Sequence, residues 1–133
     1  LAIGSIVNQG LPFYGGCVTY RFGVDCPGGD IRLTVPHYDG ALTEIFVDGV
    51  HAGEIIFPPY ELELKELSAG RHEIEVKLYT NRRNAFGTVH LYDKKCHCIG
   101  PDAWRTSGCQ WSYEYVPRNV GVESAPVIYS LKT

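Results

Sequence analysis

Residues Glu44 to Tyr79 read EIFVDGVHAGEIIFPPYELELKELSAGRHEIEVKLY, and this stretch decides the fold class. From His72 onward apolar and charged residues alternate strictly, with Ile74, Val76 and Leu78 on one face and Glu73, Glu75 and Lys77 on the other. A period of two is the signature of a strand with one face in a core and one in water. Upstream, Ile45-Phe46-Val47 and Ile55-Ile56-Phe57 flank Asp48-Gly49. Asp-Gly between apolar runs predicts a hairpin, because both central residues of a type I′ turn need positive φ. Pro58-Pro59 has no N–H to give a ladder, so the chain is expected to leave the sheet there before Leu62 and Leu64 resume alternation with Glu61 and Glu63. Ser68-Ala69-Gly70 then turns it into the last of four short strands.

Outward from that stretch the same grammar continues. Val18, Tyr20, Phe22 and Val24 alternate with Thr19, Arg21 and Gly23, and Pro27-Gly28-Gly29-Asp30 leads into Ile31, Leu33 and Val35, which reads as a second hairpin. Pro36 ends it, and Tyr38-Asp39-Gly40 is expected as a turn into Leu42–Val47. Near the C-terminus Val127, Tyr129 and Leu131 alternate with Ile128 and Ser130 as a final strand. Strands at this spacing, 15 Gly, 8 Pro and no amphipathic helix beyond a turn or two predict an all-β fold, a two-sheet antiparallel β-sandwich of the jelly-roll kind. The 133 residues are enough for a single core, and with no repeat or linker the expectation is one domain over 1–133.

A net charge of −3 with scattered basic residues offers no electrostatic reason for a nucleic acid or anionic-lipid partner. No window approaches the roughly 18 apolar residues of a membrane span, and no signal peptide opens the chain. Met is absent, even at position 1, so the chain is expected to be processed or cut from a larger multidomain protein, which leaves its compartment open. The five cysteines, Cys17, Cys26, Cys96, Cys98 and Cys109, exclude complete pairing within one chain. Free thiols favour a cytoplasmic setting, although a secreted parent fits as well; a bridge from Cys17 to Cys26 across neighbouring strands is the competing reading.

EIFVDGVHAG followed by FPPYELELKELSAGRHEIEVKLYTNRRNAFG resembles the motif of galactose-binding-like β-sandwich modules in bacterial glycoside hydrolases of the β-galactosidase, β-glucuronidase and rhamnosidase type. Asp48-Gly49 and Gly53 stand at its hairpin, Pro58-Pro59-Tyr60 at its crossover and Gly70 at its turn, a match over residues 42 to 87. The later IGPDAWRTSGCQWSYEY is similar to a segment that follows this module in some of those enzymes. The resemblance implies a chain that is no enzyme by itself, needs no cofactor, and binds or positions carbohydrate beside the catalytic domain of a parent glycoside hydrolase. A purely structural interdomain module without glycan affinity is the alternative. The motif residues serve turns and the crossover, so none carries over as a sugar contact.

Candidate contacts come instead from the irregular segment after Thr80. A sugar ring offers an apolar C–H face and a rim of hydroxyls, so its site needs aromatic platforms with amide, guanidinium or carboxylate partners. Trp104, Trp111 and Tyr113, with Arg82, Asn84, Asp102 and Arg105, supply those types. The plainer reading is that both Trp pin loops to the sandwich. A third possibility is a metal-binding module, since Cys96, Cys98 and Cys109 with His97 or His90 offer thiols and an imidazole, although adjacent strand residues face opposite ways and zinc-knuckle spacing is missing. Catalysis would need two facing carboxyls, and only Asp102, Glu114 and Glu123 lie outside turns and solvent faces. His37, His51 and His72 are expected as turn or surface residues.

Overall fold

The computed structural model describes residues 1–92, 100–104 and 106–131, with the side chain of Asp102 outside that set. Its strands are β1 (Cys17–Cys26), β2 (Gly29–Thr34), β3 (Tyr38–Asp39), β4 (Leu42–Val47), β5 (Val50–Ile55), β6 (Glu61–Leu67), β7 (Gly70–Tyr79), β8 (Gly121–Val122) and β9 (Val127–Ser130). They form two antiparallel sheets, ordered β1-β7-β4-β5 and β6-β2-β9, and a short β3-β8 pair. The alternation seen in sequence explains why two layers form: each sheet has one apolar face that has to meet another. Val18, Tyr20, Ile45, Ile55, Ile74, Val76 and Leu78 from the first sheet meet Leu33 from the second, and Val35 just past the end of β2, in one buried cluster. Each such side chain removed from water contributes about 1.5–3 kcal/mol.

The deciding stretch behaves as expected. Asp48 and Gly49 have φ of 50° and 78°, the left-handed pair that a type I′ turn requires, and β4 pairs with β5 around them. Pro58-Pro59 carries the chain from β5 in one sheet to β6 in the other.

The second expected hairpin does not form. β1 pairs along its whole length with β7, from Cys17 opposite Tyr79 to Cys26 opposite Gly70, while β2 lies between β6 and β9 in the other sheet. Pro27-Gly28 is therefore a crossover between layers. Alternation reports which face a strand buries, and it is silent on which strand lies beside it. Cys17 and Cys26 consequently sit at the two ends of one strand, about 30 Å apart at the usual strand rise, and both thiols are free, which removes the proposed bridge. Tyr38–Asp39 is a strand rather than a turn, paired with Gly121–Val122. In β9 the faces are the reverse of the apolar count: Ile128 lies opposite Leu33 and packs on the core, while Val127 and Tyr129 are exposed.

His72 is the other correction, because it is buried rather than at the surface. Its place was implicit in the pattern, two residues before Ile74 on the inward face of β7.

Candidate functional site

After β7 the chain enters a short helix, α1 (Arg83–Phe86), and long irregular segments. Their backbone is anchored by a small antiparallel contact in which Leu91 lies opposite Trp111. Tyr92 N–H donates to Gln110 O at 2.7 Å, Ser112 N–H to His90 O at 2.8 Å and Val116 N–H to Val89 O at 2.6 Å. Leu91 goes inward. Strand-like pairing brings the aromatic side chains of the two segments together.

The result is a run of five rings. Phe13 meets Tyr115 edge-on at 5.0 Å, Tyr115 meets His90 at 4.8 Å, His90 stacks on Trp111 at 5.8 Å and 29°, and Trp111 meets Tyr113 edge-on at 4.3 Å. Edge-to-face and offset contacts suit ring quadrupoles and hold each plane in place. His90 is oriented further by Nδ1–H, which donates to Ser112 O at 2.9 Å. The run is open at its Tyr113 end, where that ring is 88% exposed, and again at Tyr115, 60% exposed beside Phe13.

Two residues beyond Tyr115 lies a pocket of about 310 Å³ lined by Asp39, Pro117, Arg118 and Asn119. Asp39 is placed there by the β3-β8 pair. Arg118 is placed by Asn84, whose side-chain nitrogen donates to Arg118 O and whose oxygen accepts from Arg118 N–H, both at 2.8 Å. An aspartate, an arginine and an asparagine thus line one pocket, three of whose four lining residues follow closely in sequence on Tyr115. The sequence had assigned Asp39 to a turn and passed over Arg118-Asn119, whose only signal is two polar residues closing an aromatic-rich segment.

Of the residues expected to contact sugar, Trp111 and Tyr113 join the ring run, Trp111 half-buried and doubling as a loop anchor. Trp104 is 58% exposed on a short 3-10 turn, Pro101–Trp104. Arg82 is exposed at the start of α1. Asn84 is only 3% exposed, with its amide engaged by the Arg118 backbone, so it positions the site instead of reaching a ligand. Arg105, the Asp102 side chain, and Cys96, His97 and Cys98 lie outside the described residues. Cys109 is exposed, and among the described residues no three His, Cys, Asp or Glu side chains group as a metal site.

Two other features compete for attention. His72 sits between Asp48, 2.6 Å from Nδ1, and Ser68, whose Oγ is 3.3 Å and whose carbonyl O is 2.9 Å from Nε2. The atom types are those of a hydrolytic triad. However, an Nε2–H donating to the Ser68 carbonyl has no lone pair left to take a proton from the hydroxyl. An acceptor at each nitrogen favours the doubly protonated ring: the Asp48 hydrogen bond, then the Ser68 carbonyl, raise its pKa, and His72 in turn lowers that of Asp48. The second feature is a groove of about 760 Å³ along β1, lined also by Leu1, Ile3, Leu11, Tyr14, Ala125 and Pro126. β1 is an edge strand, so this groove follows the open seam between the sheets.

On the outer face of the β7-containing sheet, charges are paired. Lys77 contacts Glu44 at 3.2 Å and lies over the Tyr79 ring, and Arg21 contacts Glu75 at 2.9 Å. That is the solvated face predicted by alternation.

Comparison with known proteins agrees with the architecture. No protein-family model matches the chain, and no curated protein matches it significantly. Solved structures do match. A GH2 β-galacturonidase from Eisenbergiella tayi is similar at 20% identity and a TM-score of 0.60, over 97% of this chain and 19% of that one. A rhamnosidase from a Novosphingobium species is similar at 17% identity and a TM-score of 0.65, over 95% of this chain and 12% of that one. A Bifidobacterium dentium β-glucuronidase is similar at 15% identity and a TM-score of 0.55, over 94% of this chain and 23% of that one. The chain therefore has the fold of a β-sandwich carried within larger glycoside hydrolases, and it spans a quarter or less of each.

Proposed function

We propose that this chain is a non-catalytic accessory domain of a bacterial glycoside hydrolase that binds or positions carbohydrate through the ring run from Phe13 to Tyr113, with polar groups from the Asp39-Arg118-Asn119 pocket. The observation that carries this reading is the exposed, edge-locked aromatic array, whose Tyr115 precedes by two residues the Pro117-Arg118-Asn119 lining of a polar pocket completed by Asp39. Rigid rings offer a platform to the C–H face of a sugar at little entropic cost, and the three polar groups suit its hydroxyl rim. Similarity of fold to domains within enzymes named for galacturonides, rhamnosides and glucuronides supports a setting beside a catalytic domain.

The test is a binding survey of the purified chain against defined oligosaccharides, with glucuronides, galacturonides and rhamnosides foremost. Binding in the weak range of single modules is expected, with a loss of about tenfold or more in Tyr113→Ala and Trp111→Ala. Absence of binding to every glycan, or full binding by both variants, overturns it.

The groove along β1 favours a second reading, a structural module that docks on a neighbouring domain and has no glycan affinity. Contiguous exposed apolar surface of that kind marks interaction sites. Leu1, Ile3 and Tyr14 contribute to it. Glycan binding by the isolated chain argues against this second reading.

A further inference from the structure

We propose that His72 is a pH-operated latch, tying together the turns at the end of the sandwich remote from the ring run and releasing them when its imidazole loses a proton. The latch joins two turns that are far apart in sequence. Nδ1–H holds Asp48 in the β4-β5 turn, and Nε2–H holds the Ser68 carbonyl in the β6-β7 turn. Asp48 is fixed by more than the imidazole: its Oδ1 accepts from Glu73 N–H at 2.8 Å, and its own N–H donates to Glu73 O at 2.8 Å. The β1-β2 crossover packs alongside, where a Cβ at Gly28 would lie 3.2 Å from Ala69 N and 3.3 Å from Ala69 Cβ. The His72 side chain is 8% exposed, so water cannot readily replace a lost partner.

A neutral imidazole has one N–H, and the latch needs two. Deprotonation keeps Nδ1–H on Asp48 and turns the Nε2 lone pair toward Ser68, where it repels the carbonyl O at 2.9 Å and can accept only the longer bond from Oγ–H at 3.3 Å. The other ionisable groups at this end do not supply a replacement. Cys26, inward on β1, has its thiol pKa raised by burial, then by Asp25 and Asp48, so it stays neutral. Asp25 and Arg71 pair with each other at 3.6 Å on the exposed side, and Glu73 points to solvent.

The direction of the pH response follows. The folded-state pKa of His72 is raised above the ordinary imidazole value, so the latch contributes fully below about 6.5 and is lost as pH rises through the folded value. The folded-state pKa of Asp48 is lowered, so its half of the pair is present above the ordinary carboxylate value and is lost as pH falls through its own folded pKa. The latch therefore holds between the lowered folded-state pKa of Asp48 and the raised folded-state pKa of His72, and opens above the latter.

The experiment is NMR titration of the His72 ring together with protection factors for the Asp48 and Glu73 amides, taking the Val76 amide as internal reference. Protection at Asp48 and Glu73 should fall about tenfold or more as His72 deprotonates, while Val76 holds. Asp48→Asn should move both events to lower pH, and His72→Gln, whose amide does not titrate, should abolish the transition. Flat protection through the His72 titration, a His72 pKa at or below the ordinary value, or a transition that persists in His72→Gln overturns the proposal.

Discussion

The side-chain amide of Asn84 brackets the main chain of Arg118, donating to its carbonyl and accepting from its N–H at 2.8 Å each. One buried side chain thus does what a strand neighbour does elsewhere, satisfying both backbone groups of a residue that has no ladder partner. It ties the segment after β7 to the segment before β8, and it fixes the Cα from which the Arg118 side chain enters the polar pocket.

Asn84→Ala removes both bonds and should cost about 1–3 kcal/mol, read as a lowered midpoint in urea unfolding. Asn84→Asp should do no better, since it keeps the acceptor for the N–H but sets a carboxylate oxygen against the Arg118 carbonyl. Retention of wild-type stability by Asn84→Ala would show that the bracket is dispensable.

Gly121 holds φ of 140°, and a Cβ there would lie 2.7 Å from Gly4 O and 3.3 Å from Ile6 N. The N-terminal segment is hydrogen-bonded across this point, Gly4 N–H to Val122 O and Ile6 N–H to Val120 O. Gly121→Ala should destabilise by about 1–3 kcal/mol and expose the first ten residues to limited proteolysis. An unchanged digestion pattern would contradict that coupling.

Core and surface positions of β7 and β5 should separate cleanly. Ile74 is fully buried, so Ile74→Ala should cost about 2–5 kcal/mol by thermal or denaturant unfolding. Val50 is exposed beside the β4-β5 turn, and Val50→Ala should change stability by less than about 0.5 kcal/mol.

The ends of β1 give a chemical test of register. Cys17 and Cys109 are exposed and Cys26 is buried. Alkylation of the native protein, mapped by mass spectrometry, should label Cys17 and Cys109 promptly and Cys26 only after denaturant is added. Prompt labelling of Cys26 would place the β1-β2 corner in solvent.

Much of the scaffold was legible residue by residue. The inward face of β7, the Asp48-Gly49 turn and the exit at Pro58-Pro59 all follow from local rules, because side-chain alternation, positive φ and a missing N–H are properties of a few adjacent residues. The candidate site was legible in part. Trp111 and Tyr113 stood out by residue type, but Asn84 was read as a ligand contact where it is a backbone bracket, and Asp39, Arg118 and Asn119 were not singled out. His72 was taken for a surface residue although its parity put it with Ile74.

By itself, then, the sequence determined strands, turns and buried faces. Tertiary structure alone decided that Pro27-Gly28 crosses between sheets instead of closing a hairpin, that Cys17 and Cys26 end one strand, and that Asn84 meets Arg118 and Asp48 meets His72. The physical reason is range: alternation and turn chemistry act over neighbouring residues, whereas the side-chain brackets join residues 24 and 34 positions apart, the β1-β7 pairing joins residues still farther apart, from Cys26 with Gly70 to Cys17 with Tyr79, and both form only once the layers share a core.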